Sequence, residues 1–121
     1  MERFFFLWGS ISGFLAVALG AFGAHLLKDR LTPEMASIFD VGTRYHMYHA
    51  LALLAVGWAA GRWPNASVVA AGWLFVAGTI IFCGSLYLLS LSGLRWLGAV
   101  TPIGGLAFLL GWLCLAWGTL R

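Results

Sequence analysis

Long runs without a charged side chain divide the sequence into four segments. These runs cover residues 4–27, 45–61, 63–94 and 96–120, and contain 24, 17, 32 and 25 residues respectively. A helix that crosses the hydrocarbon core of a bilayer needs about 20 apolar residues, within a range of roughly 17–25. The pattern therefore predicts four membrane-spanning helices, which we place at about 4–27, 44–61, 66–91 and 97–120.

A polar segment between the first two spans begins with a helix-start signal. Thr32 suits the N-cap, Pro33 the first helical position and Glu34 the first turn. We expect a short helix from Pro33 to about Asp40 that lies in the headgroup plane and ends before Gly42. If the helix instead continued through Gly42, Asp40 and Arg44 would be four residues apart and could pair. The predicted fold class is thus an all-α membrane protein, a four-transmembrane-helix bundle with a short interfacial helix between spans 1 and 2, forming one integral membrane domain over residues 1–121.

Composition supports this fold class. Hydrophobic residues make up 62% of the chain and charged residues only 9%, whereas soluble domains carry about 25% charged residues. A soluble globular domain is therefore excluded. The net charge is +3, but no cluster of basic residues accompanies it, so we expect no nucleic-acid partner.

Glycines recur at three- and four-residue spacing and so share helix faces. Helices in lipid pack through small residues that allow the backbones to approach closely. This pattern predicts helix-packing roles for Gly9, Gly13, Gly20, Gly57, Gly61, Gly78, Gly111 and Gly118.

Four strings in the chain resemble a known family. They are Gly20-Ala21-Phe22-Gly23-Ala24-His25, Tyr45-x-x-x-His49 followed by Leu51-Ala52-Leu53, Gly84-Ser85-Leu86-Tyr87, and Thr101-Pro102-Ile103-Gly104-Gly105. In this order they resemble the YgdD/YwdK-like family of small, multi-pass bacterial inner-membrane proteins, a family of unknown function.

The resemblance implies a location in the bacterial inner (cytoplasmic) membrane and no particular activity. It points to His25, His49, Tyr87, Thr101, Pro102, Gly104 and Gly105 as the residues of the family motifs. It also favours both chain termini on the cytoplasmic side, which the charges alone do not decide, since three basic residues fall on one side of the membrane and four on the other.

Three histidines, His25, His46 and His49, are predicted near one membrane face, at the end of span 1 and the start of span 2. His46 and His49 have a spacing that can present two imidazoles to one metal ion, and the group could also supply an axial haem ligand. The simpler interpretation is that each histidine caps helix-end carbonyls or forms a hydrogen bond across the bundle. Under that interpretation we expect His25 and His49 to point into the protein, with His46 more dispensable.

The spans exclude some function classes. No Asp or Glu lies within the charge-free runs, which argues against a carboxylate-driven exporter. No nucleophile-and-base pattern, phosphate-binding loop or zinc signature is present. The leading hypothesis is a non-enzymatic membrane protein, without a cofactor, that acts through helix–helix or lipid interaction, with the bilayer, a second copy or another membrane protein as its partner. The alternative is a small metal-binding or solute-permeating protein with a His-lined polar site.

Overall fold

The computed structural model describes all 121 residues, and its regular structure is entirely helical. Helix α1 covers Glu2–His25 and α2 covers Pro33–Arg62. Helix α3, Ala66–Gly78, continues through a π-helical turn, Thr79–Cys83 (the π segment), into α4, Gly84–Ser92. A 3₁₀ turn, Arg95–Ala99, leads into α5, Thr101–Leu120. Because α3, the π segment and α4 are continuous, the chain forms four helical rods.

Three of these rods are long and apolar enough to cross a membrane, namely Glu2–His25, Ala66–Ser92 and Arg95–Leu120. Helix α2 is not among them. It carries Arg44, His46 and His49 together with an acidic residue in its first turn, and these side chains lower its hydropathy.

The segment from Pro33 to Asp40 does not form the separate interfacial helix that we expected. It forms the first turns of α2, with the Thr32 hydroxyl accepting a hydrogen bond from the Met35 N–H at 3.2 Å. Gly42 does not end the helix, because its missing side chain instead makes room for a neighbour: a Cβ there would lie 2.9 Å from the Tyr87 ring. As a result Asp40 and Arg44 do pair, at 2.9 Å.

The four rods pack as two antiparallel hairpins joined through α2. Helix α1 lies along α2, and α3 lies along α5, while α2 also contacts α3 and α4. The interior between them is apolar and holds the fully enclosed side chains of Phe5, Leu53, Val56, Val68 and Phe75. Helix α2 thus lies at the centre of the bundle, although it is the least apolar of the four rods.

Most of the predicted packing glycines lie at close helix contacts. A Cβ on Gly9 would lie 2.9 Å from the Ala50 carbonyl oxygen, and one on Gly57 would lie 3.0 Å from the Glu2 carbonyl oxygen. The same close fit holds at Gly61, Gly78, Gly111 and Gly118, whereas Gly13 has ordinary contact distances. Gly20 differs from the prediction, since nothing lies within 4 Å of its Cβ position. It lines a cleft of about 240 Å³ that separates the end of α1 from α2.

The closest backbone approach lies at Gly104, near the start of α5. A Cβ at this position would collide with the backbone of Phe82, which belongs to the π segment. A π turn is wider than an α turn, and glycine at this position allows α5 to pack against it. The neighbouring Gly105 is less constrained, because its Cβ would lie 3.7 Å from the Phe82 ring.

Substitution by alanine at these two adjacent glycines should therefore have opposite effects. We expect Gly104→Ala to lower the free energy of unfolding by about 1–3 kcal/mol, because a backbone cannot move aside as a side chain can. We expect Gly105→Ala to be neutral or stabilising, since alanine is the better helix former. Thermal unfolding of both variants in detergent measures the difference. Equal melting temperatures would show that α5 does not contact the π segment at Gly104.

An ion pair joins the start of α2 to the connection before α5. The Arg95 guanidinium donates two hydrogen bonds to the Glu34 carboxylate, at 2.9 and 3.3 Å. These hydrogen bonds and the positive charge hold the pKa of Glu34 below its ordinary value of 4.5. Both side chains are more than half exposed, so the pair contributes little to stability.

The contribution of this pair should depend on pH. A carboxyl group whose pKa is lowered in the folded state stabilises that state above its ordinary pKa, and the effect is lost as the pH falls through the lowered value. We expect Glu34→Gln to lower the melting temperature slightly at pH 7 and to match the parent in strong acid. Asp29→Asn, at an exposed carboxylate outside the ion pairs of the structure, is the control and should show no such trend.

Candidate functional site

Polar side chains meet inside the bundle around the middle of α2. His46 and His49 are both buried, with 6% and 4% of their surfaces exposed. Each has a hydrogen-bond partner on a different rod: Tyr87 of α4 for His46 and Trp112 of α5 for His49. The two histidines lie on neighbouring faces of α2 but bond different rods, so they belong to two separate places in the fold.

Both ring nitrogens of His49 are engaged within the protein. Its Nδ1 lies 2.7 Å from the Tyr45 carbonyl oxygen, and its Nε2 lies 3.1 Å from the indole Nε1 of Trp112. A carbonyl oxygen only accepts and an indole N–H only donates, so Nδ1 carries the proton and Nε2 accepts. The ring also stacks on Phe108, with 3.5 Å between ring centroids. His49 is therefore held as a neutral imidazole with no free nitrogen.

Two hydroxyl groups of the family motifs join α4 to α5. Ser85 Oγ and Thr101 Oγ1 lie 2.6 Å apart. Ser85 also donates to the Phe82 carbonyl oxygen at 2.9 Å, and Thr101 also donates to the Leu97 carbonyl oxygen at 3.3 Å, so either hydroxyl can be the donor between them. Thr101 thus supports the π segment through Ser85, on the same side where Gly104 packs against it.

A groove of about 520 Å³ opens between α2 and α5 beside His49. We call it the α2–α5 groove, and its walls include Tyr45, His49, Phe82, Gly105, Leu106 and Trp112. Leu106 and Trp112 are exposed at its edge. Since His49 is fully hydrogen-bonded, the surface that the groove presents is almost wholly apolar.

A second cavity, of about 220 Å³, lies between α1, α2 and the π segment, and shares no lining residue with the groove. We call it the midplane cavity. Its polar lining consists of Ser12, His46, Thr79, Cys83 and Tyr87. Ser12 lies midway along α1, and Thr79 lies midway along the Ala66–Ser92 rod, so this cavity lies near the middle of the bilayer.

The three histidines do not come together. His25 is exposed at the end of α1, contrary to our expectation that it points into the protein. His46, which we expected to be more dispensable, is as deeply buried as His49. No group of three His, Cys, Asp or Glu side chains is placed to hold a metal ion. A metal ligated jointly by His25, His46 and His49 does not fit this arrangement, because His25 lies at the bundle end and both ring nitrogens of His49 are already hydrogen-bonded within the protein.

The comparisons with known proteins agree with the resemblance in the motifs. A model of a family described as a protein of unknown function, DUF423, matches residues 19–105. The chain belongs to this family. It is 45% identical over 119 residues to a UPF0382 membrane protein of Staphylococcus epidermidis, covering 98% of this chain and 97% of that protein. It is 44% identical to the UPF0382 membrane protein YwdK of Bacillus subtilis, covering 93% of each. No solved structure matches the chain.

This DUF423 chain is therefore a membrane protein, in agreement with its three rods that are long enough to span a bilayer. The family motifs included His49, Tyr87, Thr101 and Gly104. The sequence singled out neither Trp112, the hydrogen-bond partner of His49, nor Thr79 of the π segment. Neither had a sequence signal, because the first depends on which helix faces α2 and the second on a local π turn.

The hydrogen bond between Trp112 and His49 should contribute measurably to stability. We expect Trp112→Phe to lower the free energy of unfolding by about 1–3 kcal/mol, because it leaves Nε2 of a buried imidazole without a donor. The ¹⁵N chemical shifts of His49 should report an unprotonated Nε2 in the parent. Trp117→Phe removes an exposed indole outside the hydrogen bonds of the bundle and is the control. If Trp112→Phe lost no more stability than Trp117→Phe, the hydrogen bond between Trp112 and His49 would be excluded.

Proposed function

We propose that the protein is a non-enzymatic, four-span membrane protein that acts by binding lipid within the bilayer, through the α2–α5 groove. The observation that carries the proposal is the groove itself. It is apolar, it opens at the side of the bundle, and both ring nitrogens of its single histidine, His49, are hydrogen-bonded within the protein.

The position of α2 supports the fourth span. Its 30 residues extend about 45 Å at 1.5 Å per residue, more than the roughly 30 Å of hydrocarbon. One end lies beside Glu2, at the start of α1, and the other end pairs with Arg95 after α4. Its histidines are buried and hydrogen-bonded, so they do not expose polar atoms to lipid. Four spans place both termini on one side of the membrane, for which we favour the cytoplasm.

The occupant that we assign to the groove is a lipid acyl chain. Leu106 and Leu109, which line it, are exposed on the outer face of α5, where the surrounding medium of a membrane protein is hydrocarbon. The groove presents aromatic and aliphatic side chains, and no Asp, Glu, Lys or Arg lines it. These contacts suit a flexible apolar chain better than a charged or polar ligand.

A metal-binding function has less support. His49 has no free nitrogen, and the exposed His25 is separated from the two buried histidines. No Ser, Thr or Cys side chain is hydrogen-bonded to a base: His46 bonds the Tyr87 hydroxyl and His49 bonds the Trp112 indole and a backbone carbonyl. The arrangement therefore favours a binding protein over an enzyme.

Filling the groove should reduce lipid binding. In Gly105→Met the Cβ has ordinary space, and the flexible side chain can lie along the groove. We expect native mass spectrometry in mild detergent to show phospholipid retained by the parent and several-fold less lipid retained by this variant. Gly20→Met, which places the same side chain at an open position on α1, should retain lipid like the parent.

Two results would contradict the proposal. One is equal lipid retention by the parent and by Gly105→Met. The other is a parent that is dimeric in nanodiscs and becomes monomeric in Gly105→Met, which would assign the groove to a second copy of the chain.

A further inference from the structure

One fully enclosed hydroxyl group inside the bundle has no partner. Thr79 Oγ1 is the only fully enclosed side-chain oxygen or nitrogen in the protein without a hydrogen bond. Buried polar groups are almost always paired, and an exception requires an explanation such as a bound molecule. In the middle of a membrane the requirement is stronger, because no bulk water is present to satisfy the group.

The other helical hydroxyls show how Thr79 departs from the normal arrangement. Ser10, Thr43 and Thr119 each donate to a carbonyl oxygen three or four residues earlier, at 2.9, 2.9 and 2.7 Å. This is the usual solution for serine and threonine in helices. Thr79 begins the π segment and does not adopt this solution. Single π turns are rare and frequently occur at functional sites.

Thr79, which carries the unpartnered hydroxyl, lines the midplane cavity together with other neutral polar residues. His46 Nδ1 and the Tyr87 hydroxyl lie 2.9 Å apart, which leaves His46 Nε2 without a partner in the protein. Ser12 is buried, and its hydroxyl also makes no hydrogen bond within the protein. Hydrogen-bonding capacity from three rods therefore converges on one space of about 220 Å³.

The lining determines the charge of a suitable ligand. No Asp, Glu, Lys or Arg contributes to the cavity, so a charged ligand would lie near the bilayer centre without a counter-charge, at high cost. Hydroxyl groups and an imidazole instead suit a neutral group that both donates and accepts hydrogen bonds, or accepts alone. A hydroxyl or carbonyl group has this chemistry.

The residues at the mouth of the cavity indicate that the part of the ligand outside it is apolar. Trp8 and Leu15 of α1 and Ile80 of the π segment line the cavity and are exposed on the outside of the bundle. The entrance is thus apolar and faces the hydrocarbon. The cavity volume is smaller than that of most pockets for drug-sized ligands, roughly 300–1,000 Å³, so it accommodates a head group while an apolar tail remains in the bilayer.

We propose that the midplane cavity binds the hydroxyl or carbonyl group of a neutral, membrane-dissolved amphiphile, through Thr79, Ser12 and the His46–Tyr87 pair. The site is separate from the α2–α5 groove, because the two share no lining residue.

A photoreactive analogue of hexadecanol, with a diazirine near its hydroxyl end, tests the proposal on the full chain in lipid nanodiscs. We expect mass spectrometry to locate labelling on residues that line the midplane cavity. Unlabelled hexadecanol should compete with the label, whereas hexadecane, which lacks the hydroxyl, should not. Labelling only in the α2–α5 groove, or equal competition by hexadecane, would overturn the proposal.

The decisive variant is Thr79→Val, which keeps the shape of the side chain and removes the hydroxyl. We expect about tenfold weaker labelling by the probe, as the loss of one hydrogen bond in an apolar site implies. The melting temperature without the probe should equal or exceed that of the parent, because the lost hydroxyl had no partner. The control is Thr119→Val, whose hydroxyl bonds the Ala116 carbonyl at the far end of α5, and it should label like the parent. Unchanged labelling in Thr79→Val would overturn the proposal, as would an unlabelled cavity that holds only water.

Discussion

At the depth of the hydrocarbon, each hydrogen-bonding group must find its partner inside the protein, and the architecture of this bundle follows from that requirement. Backbone groups are satisfied within the four rods. Side chains are satisfied between rods: Asn65 donates to the Gly118 carbonyl oxygen at 3.0 Å, and Ser67 donates to the Cys114 carbonyl oxygen at 2.6 Å. These contacts fix α3 against α5 without any ion pair within the membrane. The same requirement makes the unpartnered Thr79 hydroxyl significant.

Glycines in this bundle more often receive aromatic rings than neighbouring backbones. The rings of Phe108 and Phe75 lie over Gly78 and Gly111 respectively, within 2.7 Å of where a Cβ would be. Gly104, like Gly9 and Gly57, instead faces a backbone. Since lipid tails are as apolar as the helix surfaces, association in the bilayer depends on such close fit rather than on hydrophobic burial. A ring packed over glycine provides a large contact area for this fit.

The spacing of charges and small residues was sufficient to predict the helical class, the approximate ends of three of the four rods and most of the close glycine contacts. The continuity of α2 from Pro33 was not predicted, because Gly42 in isolation is typical of a helix end, and only the Tyr87 ring packed against it explains why a glycine lies within the helix. The environments of two histidines also differed from the prediction. His25 is exposed although we expected it to point into the protein, and His46, which we expected to be more dispensable, is buried. Burial depends on which face of each rod meets its neighbours, and helical periodicity leaves that choice open. The π segment has no signature in Thr-Ile-Ile-Phe-Cys that distinguishes it from an ordinary apolar helix.

The π segment forms part of the wall of both sites. Thr79 and Cys83, four residues apart, face the midplane cavity, whereas Phe82 lines the α2–α5 groove and places its backbone against Gly104. Thr101 reaches the same segment through Ser85, which bonds the Phe82 carbonyl. The family motif at the start of α5 thus supports a local irregularity in the preceding rod, and it does not supply ligands of its own. This arrangement accounts for a motif rich in glycine and a small hydroxyl residue. Gly104 lets the wide π turn approach closely, and Thr101 bonds Ser85, which in turn donates to the Phe82 carbonyl oxygen.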